Sequence, residues 1–156
     1  FKQKTAYEIM PSLVGSEMCI RDRFNRLLIT GAAGNLGSEL RRGLAPLAKT
    51  LRLSDRADMA SADKNEEVVQ CELGDFDSVM NLVEGCDAIV HFGAASIERP
   101  WAEILESSIK GGYNVYEAAR RHGVRRIVYA SSIHAVGFVR REDGADTDTP
   151  HRPDTL

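Results

Sequence analysis

Apolar runs of four or five residues recur along this sequence, and amphipathic stretches separate several of them. The runs are mostly aliphatic, and turn-forming or polar residues follow most of them, so they predict strands buried in a sheet. The five predicted strands are residues 26–30, 50–54, 68–71, 88–92 and 127–130.

Three stretches between the strands carry apolar residues at helical spacing. Leucines recur every three or four residues from Leu36 to Leu47 and predict a first amphipathic helix. Residues 75–84 and 100–122 predict two more, with aspartate or proline at the start and glycine just beyond the end. Residues 137–156 are polar, contain two prolines and predict a surface loop.

Strands and helices therefore alternate, and most crossovers are long enough to connect parallel strands. This order predicts an α/β fold with a doubly wound parallel sheet. The chain has 156 residues, of which 43% are hydrophobic, so it is long enough for one domain with one compact core. We expect no second full domain.

Composition and charge narrow the function classes. The formal charge is −3 at pH 7, and phosphate binding needs a clustered basic excess, so we expect no nucleic-acid partner. No apolar run approaches the roughly 20 residues of a membrane helix, so we expect no membrane partner. Cys19, Cys71 and Cys86 include no closely spaced pair and predict reduced thiols, not a disulfide framework or a metal site. Residues 1–23 lack the features of a secretory signal, and we expect a cytoplasmic protein.

A glycine-rich turn joins the first predicted strand to the first predicted helix. Gly31, Gly34 and Gly37 let the backbone turn sharply and approach a pyrophosphate, while the helix N-terminus offers unpaired N–H groups to an anion. Glycines at such a turn also serve purely steric purposes. Asp55 at the end of the second strand favours dinucleotide binding, because an acid at that place accepts hydrogen bonds from the adenosine ribose.

Asp55 also bears on the choice of cofactor. A carboxylate at the ribose repels a 2′-phosphate, which favours NAD over NADP. Arg56 is the counter-argument, because a guanidinium beside the ribose attracts that phosphate; the alternative is that Arg56 is a solvated loop residue.

The glycine spacing and three later segments resemble the extended branch of the short-chain dehydrogenase/reductase family, which includes NAD-dependent epimerases and dehydratases. The three segments are residues 71–73, 91–96 and 129–137. The resemblance implies a Rossmann-type NAD-binding domain over residues 24–156, with Glu72 where the family usually has aspartate. The cofactor-binding residues that it implies are Gly31, Gly34, Asn35, Leu36, Gly37, Asp55, Glu72, Leu73, Phe92, Gly93, Ala94, Ala95 and Ser96.

Within this branch the sequence is most similar to the uronate dehydrogenases, NAD enzymes that oxidise the anomeric carbon of a uronic acid to a lactone. The segments that carry this resemblance are residues 51–55, 69–71, 113–120 and 131–134. It implies that Ser132 is the catalytic serine, which orients the substrate hydroxyl, and that Ser96, Ser132 and His134 contact the sugar. Ile133 departs from the asparagine of those enzymes, so we expect a uronic acid or a related sugar as substrate.

The family's general base is a tyrosine that a lysine follows four residues later. The tyrosines of this chain, none of which has lysine at that place, are Tyr7, Tyr113, Tyr116 and Tyr129. In the resembled enzymes the pair follows the segment that matches residues 152–154. We therefore expect an inactive oxidoreductase fragment, truncated after the fifth strand, whose full-length form is a homo-oligomer. Residues 1–23 match nothing in the family, and we expect a non-native or disordered leader, with an authentic extension as the alternative.

Two other functions remain open at this point. A sugar-nucleotide epimerase or dehydratase shares the cofactor-binding motifs, and a non-catalytic NAD(P)-sensing module needs no general base.

Three smaller expectations concern single residues. His91 is predicted to be a core histidine, Gly111 and Gly112 to mark close packing of a helix, and Ser108 occupies the position of an asparagine that relays a proton in the family.

Overall fold

Five parallel strands form one sheet in the computed structural model, which describes residues 23–59, 62–137, 139, 140 and 142–153. The strands are β1 (Phe24–Thr30), β2 (Ala48–Asp55), β3 (Glu66–Gln70), β4 (Ala88–His91) and β5 (Arg126–Tyr129). The helices are α1 (Asn35–Leu44), α2 (Phe76–Val83), α3 (Trp101–Ile104) and α4 (Gly111–His122). The strand order is β3-β2-β1-β4-β5. Successive strands are added on one side of β1 as far as β3 and on its other side from β4 onward, so the strand order reverses between β1 and β4. This confirms the predicted Rossmann-type α/β fold.

The first two strands begin earlier than their apolar runs. Phe24 of β1 pairs with Ala48 of β2, which extends both strands by two residues beyond the predicted starts at 26 and 50. β3 also begins two residues early, at Glu66 and Glu67, whose charges mask a strand in the sequence. Both glutamates form ion pairs with arginines of neighbouring elements, and that pairing explains how the charges are accommodated.

The buried face of α1 differs in part from the apolar face that the leucine spacing predicts. Leu40 and Leu44 pack against the sheet, as the spacing predicts. Leu36 is instead 64% exposed in the first turn, and Leu47 lies in a 3-10 turn (Ala45–Leu47) and is half exposed. The buried residue in the first turn is Gly37, because this turn packs against the backbone of Gly31 and Ala32 too closely for a side chain.

Two apolar clusters cover the two faces of the sheet. One packs beneath α1 and contains Leu27, Ile29, Ala32, Ala48, Leu51, Leu53, Ala88 and Val90. The other packs beneath α2 and α4 and contains Leu28, Cys71, Val79, Leu82, Val83, Cys86, Ile89, Val115, Ala118 and Ala119. Because β1 and β4 contribute to both clusters, the centre of the sheet is buried on both faces.

α2 has the caps that its sequence suggests. The Asp75 carboxylate accepts hydrogen bonds from the Asp77 N–H at 3.2 Å and from the Ser78 hydroxyl at 2.6 Å. Gly85 follows the helix with a φ of 70°, a conformation that glycine adopts without strain. The helix therefore begins and ends where Asp75 and Gly85 predict.

The predicted third helix is one helical segment in three parts. α3 continues into a π-helical stretch (Leu105–Lys110) and then into α4, which ends at Gly123 with a φ of 70°. A Cβ on Gly111 would lie 2.8 Å from the Cβ of Leu73, whereas a Cβ on Gly112 would have no neighbour within 4 Å among the described residues outside its own helix. The close packing predicted for the two glycines is therefore a property of Gly111.

β5 forms one edge of the sheet, and Val128 and Tyr129 are about half exposed there. Beyond the 3-10 turn (Ile133–Val136), the described residues form loops and turns without helix or strand, as the polar composition predicts. In the described ranges no helix combines the length and the apolarity needed to cross a membrane.

Candidate functional site

The carboxyl ends of all five strands lie along one edge of the sheet, and the predicted site residues follow them. The glycine turn follows β1, Asp55 ends β2, and Glu72 and Leu73 follow β3. Residues 92–96 follow β4, and residues 130–134 follow β5. The strand order reverses between β1 and β4, and such a reversal leaves a crevice at the centre of this edge. Open α/β sheets bind ligands in that crevice.

Gly31 and Gly37 bring two backbone segments into direct contact at that crevice. Gly31 has a φ of 72°, and a Cβ there would lie 2.6 Å from the carbonyl carbon and oxygen of Phe92. A Cβ on Gly37 would lie 2.1 Å from the Gly31 oxygen. The turn between them is closed by a hydrogen bond from the Gly34 N–H to the Gly31 carbonyl at 3.1 Å. No residue with a side chain fits Gly31 or Gly37 without backbone movement.

The N-terminus of α1 points out of this turn and carries no cap. Gly34 is the N-cap residue, it has no side chain to accept hydrogen bonds, and the first turn contains no acidic residue. The first N–H groups of a helix have no partner within the helix and need an acceptor from outside it. The helix dipole adds positive potential at the same end. The turn therefore fits a phosphate group, whose oxygens accept N–H bonds and whose charge the dipole favours.

Asp55 is held beside the glycine turn by two backbone groups. Its Oδ2 accepts the Ala33 N–H at 3.0 Å, and its Oδ1 accepts the Ala57 N–H at 3.0 Å. The Ala32 N–H also donates to the Ser54 carbonyl, which joins the turn to the end of β2. Each carboxylate oxygen keeps acceptor capacity for a further donor, so Asp55 presents a fixed negative charge at the edge of the crevice.

The segment after β4 is bonded to two other elements. The Gly93 N–H donates to the Thr30 hydroxyl at 3.1 Å, and the Ala95 N–H donates to the Ser108 hydroxyl at 3.1 Å. Ser108 lies in the π-helical stretch, a helical irregularity that is frequent at functional sites. Phe92 and Gly93 are partly buried, while Ala94 and Ser96 are exposed at the crevice.

Glu72 and Leu73, which follow β3, have different surroundings: Glu72 lines a cleft, and Leu73 packs against two glycines. Leu73 packs between Gly93 and Gly111, because a Cβ on either glycine would lie less than 3 Å from its side chain. Glu72 is exposed and lines a cleft of about 510 Å³ between the loop after β3 and the helix at residues 102–107. Arg56 lines the same cleft, together with Asp75, Glu103 and Glu106. Its size suits a ring system such as a nucleobase.

Ser132 and His134 lie at the opposite end of the edge, after β5. The Ser132 hydroxyl accepts the His134 N–H at 3.2 Å and thereby begins the 3-10 turn. Ser132, Ile133 and His134 are all exposed. β3 and β5 are four strand spacings apart, or about 19 Å, so Glu72 and Ser132 follow strands at opposite edges of the sheet.

His91 is a core histidine, as predicted. It is 2% exposed, its Nδ1 lies 2.6 Å from the Thr30 hydroxyl, and its ring lies 5.5 Å from that of Tyr129. Burial lowers the pKa of His91 to about 4, because desolvation disfavours the charged imidazolium. His91 is therefore neutral at pH 7.

Two residues that support the site were not identified from the sequence. Thr30 ends β1 and bonds both to His91 and to the loop after β4. Asn114, which is buried in α4, donates from Nδ2 to the Leu73 carbonyl at 2.8 Å and so fixes the segment that carries Glu72 and Leu73. A polar residue between apolar positions of a helix was the available signal for Asn114; Thr30 carries none, because threonine is common in strands.

Known proteins resemble this chain over most of its length. The sequence profile of the NAD dependent epimerase/dehydratase family matches residues 27–155. The uronate dehydrogenase of Pseudomonas syringae pv. tomato is 55% identical over 133 residues, which cover 85% of this chain and 48% of that protein.

Two solved structures have the same fold over the matched part. A mutant uronate dehydrogenase from Agrobacterium tumefaciens, complexed with NAD, superposes with a TM-score of 0.81 at 51% identity, covering 83% of this chain and 49% of that one. A glucuronic acid dehydrogenase from Chromohalobacter salexigens gives a TM-score of 0.82 at 51% identity, with 85% and 50% covered. The chain spans about half the length of these relatives. Its matched residues, glycine turn and sheet order place it in the NAD dependent epimerase/dehydratase family, to which the chain belongs.

Proposed function

We propose that this chain is the cofactor-binding part of an NAD-dependent oxidoreductase that oxidises a uronic acid or a related sugar at a carbinol carbon. The observation that carries the proposal is the uncapped glycine turn of α1 with the Asp55 carboxylate fixed beside it. The similarity to uronate and glucuronic acid dehydrogenases at 51–55% identity supports the substrate class.

The dinucleotide would lie along the carboxyl edge of the sheet. Backbone N–H groups of residues 35–37 at the start of α1 and the α1 dipole bind its pyrophosphate, and Asp55 accepts hydrogen bonds from the adenosine ribose. Glu72 and Leu73 hold the adenine at the cleft after β3, and residues 92–96 line the diphosphate and the nicotinamide ribose. In this arrangement Gly31, Gly34, Asn35, Leu36 and Gly37 form one continuous phosphate-binding turn.

The charges around the cleft favour NAD over NADP. Asp55 beside the glycine turn, and Glu72 and Glu103 in the cleft, place negative charge where a 2′-phosphate would enter, whereas Glu106 is paired with Lys110. Like charges at close range cost several kcal/mol unless a cation compensates them. Arg56 is the basic side chain of this cleft, and the carboxylates around it outweigh its charge.

The substrate would bind at the other end of the edge. The Ser132 hydroxyl orients the substrate oxygen, and Ser96 and His134 contact the sugar; all three side chains are exposed at the mouth of the crevice. NAD, when bound, supplies the hydride acceptor for the carbinol carbon. Removal of the hydroxyl proton needs a general base, and none of the four tyrosines of this chain has a lysine four residues later.

Cofactor preference tests the binding part of the proposal. Titration of the fluorescence of Trp101, the single tryptophan, with NAD and NADP is expected to show tighter binding of NAD. Asp55→Asn keeps a hydrogen-bond acceptor but removes the charge, so the preference for NAD should fall about tenfold. Asp58→Asn is the matched control, because Asp58 is an exposed acid of the same loop, and it should leave the preference unchanged. Tighter binding of NADP by the unmodified chain would overturn the role of Asp55.

Activity tests the catalytic part. We expect the 156-residue chain not to produce NADH from galacturonate or glucuronate above background, because loss of a general base costs about 10²–10⁴-fold in rate. Turnover of either sugar acid by this chain would refute the expectation that catalysis needs a Tyr-x-x-x-Lys pair as the general base.

A further inference from the structure

Three polar side chains form a row across the sheet at the carboxyl ends of its central strands. Thr30 of β1 pairs in register with Ser54 of β2 on one side and with His91 of β4 on the other. All three are at most 2% exposed, and the neighbouring positions of β1 are leucine and isoleucine. Polar groups at the centre of a sheet are costly to bury unless they are hydrogen-bonded, so their contacts are informative.

Two groups bond to the Thr30 hydroxyl. The Gly93 N–H can only donate, and it donates to Thr30 Oγ1. His91 Nδ1 lies 2.6 Å from the same oxygen, and in the imidazole tautomer that carries its proton on Nε2 the Nδ1 atom accepts the hydroxyl proton. That tautomer is neutral, which agrees with the burial of the ring.

This chain of bonds ends in the loop that borders the glycine turn. Gly93 is packed on its other side against Leu73, since a Cβ there would lie 2.6 Å from Leu73 Cδ1. The preceding residue, Phe92, has its carbonyl in direct contact with the backbone of Gly31. A movement of Gly93 away from Thr30 would thus change the contact between the two segments that flank the crevice.

We propose that Thr30 and His91 are positioning residues for the dinucleotide: the neutral imidazole orients the Thr30 hydroxyl, and the hydroxyl holds the Gly93 N–H so that residues 92–96 stay against the glycine turn. The inference rests on the proposed NAD site but assigns a role to two buried residues that do not themselves touch the ligand. Ser54 lies in the same row but takes no part in these hydrogen bonds, because its hydroxyl has no hydrogen-bond partner among the described residues.

The first test compares three substitutions in this row. Thr30→Val removes the hydroxyl but keeps the shape, and it should weaken NAD binding about tenfold because it leaves the Gly93 N–H without a partner. Thr30→Ser restores the hydroxyl and should bind NAD within about twofold of the unmodified chain. Ser54→Ala removes the neighbouring hydroxyl and should leave NAD affinity unchanged. Equal affinities of the valine and serine variants would refute the proposal.

A second measurement does not depend on NAD. In the free chain at pH 7, ¹⁵N NMR should show His91 as the neutral tautomer with its proton on Nε2. The Gly93 amide should exchange with solvent faster in Thr30→Val than in Thr30→Ser. A charged or Nδ1-protonated imidazole, or unchanged exchange in the valine variant, would contradict the bond direction. If these results hold but the unmodified chain does not bind NAD, the proposed function fails while the Thr30–His91 pair stands.

Discussion

Two glycines of α1 differ completely in their surroundings, although both lie in the same ten-residue helix. Gly37 is buried, and a Cβ there would meet the Gly31 oxygen and the backbone of Ala32 at 2.1–2.9 Å. Among the described residues, and apart from the nearby backbone of its own helix, Gly43 has no heavy atom within 4 Å of such a Cβ. The first glycine allows the helix to begin against the turn, whereas the second has no packing reason to be glycine.

This contrast predicts opposite effects of the same substitution. Gly37→Ala should lower the free energy of unfolding by about 2 kcal/mol, because backbone atoms must move to admit the methyl group. Gly43→Ala should raise it by about 0.5–1 kcal/mol, because alanine has the higher helix propensity. Urea unfolding followed by circular dichroism measures both. A stabilised Gly37→Ala variant would mean that the turn does not hold the contact described above.

Between elements, α1 and β3 are connected by a buried ion pair. The Arg41 guanidinium donates to both oxygens of Glu66 at 2.9 and 2.6 Å, and the Glu66 side chain is 3% exposed. The hydrogen bond from Arg41, more than any other contact, holds the pKa of Glu66 below its usual value. Arg42, the next residue, forms its ion pair with Glu39 on the surface of the same helix.

The two arginines provide a matched pair for a test of this connection. Arg41→Met should cost about 2 kcal/mol at pH 7, since it leaves a buried carboxylate without its charged donor. Arg42→Met should change stability by less than about 0.5 kcal/mol, because exposed ion pairs contribute little. Urea unfolding of both variants beside the unmodified chain gives these differences.

The effect of Arg41→Met should also depend on pH. Because the pKa of Glu66 is lower in the folded than in the unfolded state, the contribution is complete above the unfolded pKa of about 4.5. It is lost as the pH falls through the lower, folded pKa. The stability difference between the variant and the unmodified chain should therefore shrink on acidification below that range. A difference that stays constant down to pH 3 would show that Glu66 does not carry it.

At the scale of the whole molecule, two thiols report on the larger core cluster. Cys71 and Cys86 are 6% and 7% exposed and lie in the cluster beneath α2 and α4. Burial raises the pKa of each thiol to about 11. The thiolate, which is the reactive form, is therefore scarce at pH 8, and access to the sulfur is blocked as well.

Thiol labelling should consequently follow global unfolding. In a Cys19→Ser variant, which removes the cysteine outside the described residues, an aromatic disulfide reagent at pH 8 should label neither thiol of the native chain. Both should become reactive together over the urea range in which circular dichroism reports unfolding, because one cluster buries them. Labelling of one thiol below that range would show that the cluster opens in parts.

Much of the fold was predictable because its signals are local. Short apolar runs identified all five strands, and the capping residues at 75 and 123 marked the ends of two helices. The boundaries were less predictable where pairing decides them: β1 starts at Phe24 because Ala48 is opposite, and β3 includes Glu66 because Arg41 neutralises it. Leu36 was misplaced because periodicity does not show that the first turn of α1 packs through Gly37 against the backbone of Gly31 and Ala32 and leaves Leu36 exposed.

The candidate site also combines features with a local sequence signal and features that depend on how distant segments pair. Gly31, Gly37 and Asp55 were predicted from the sequence as cofactor contacts, because that prediction needs only particular residue types at a particular spacing within one crossover, and the structure brings the three together at one turn. The hydrogen bonds of Thr30 with His91 and Gly93 were not, because the two segments are 61 or more residues apart and meet only through strand register. The sequence by itself determined the order of elements and the chemistry of the turn; the tertiary structure decided which buried polar groups meet, because those contacts depend on how strands pair.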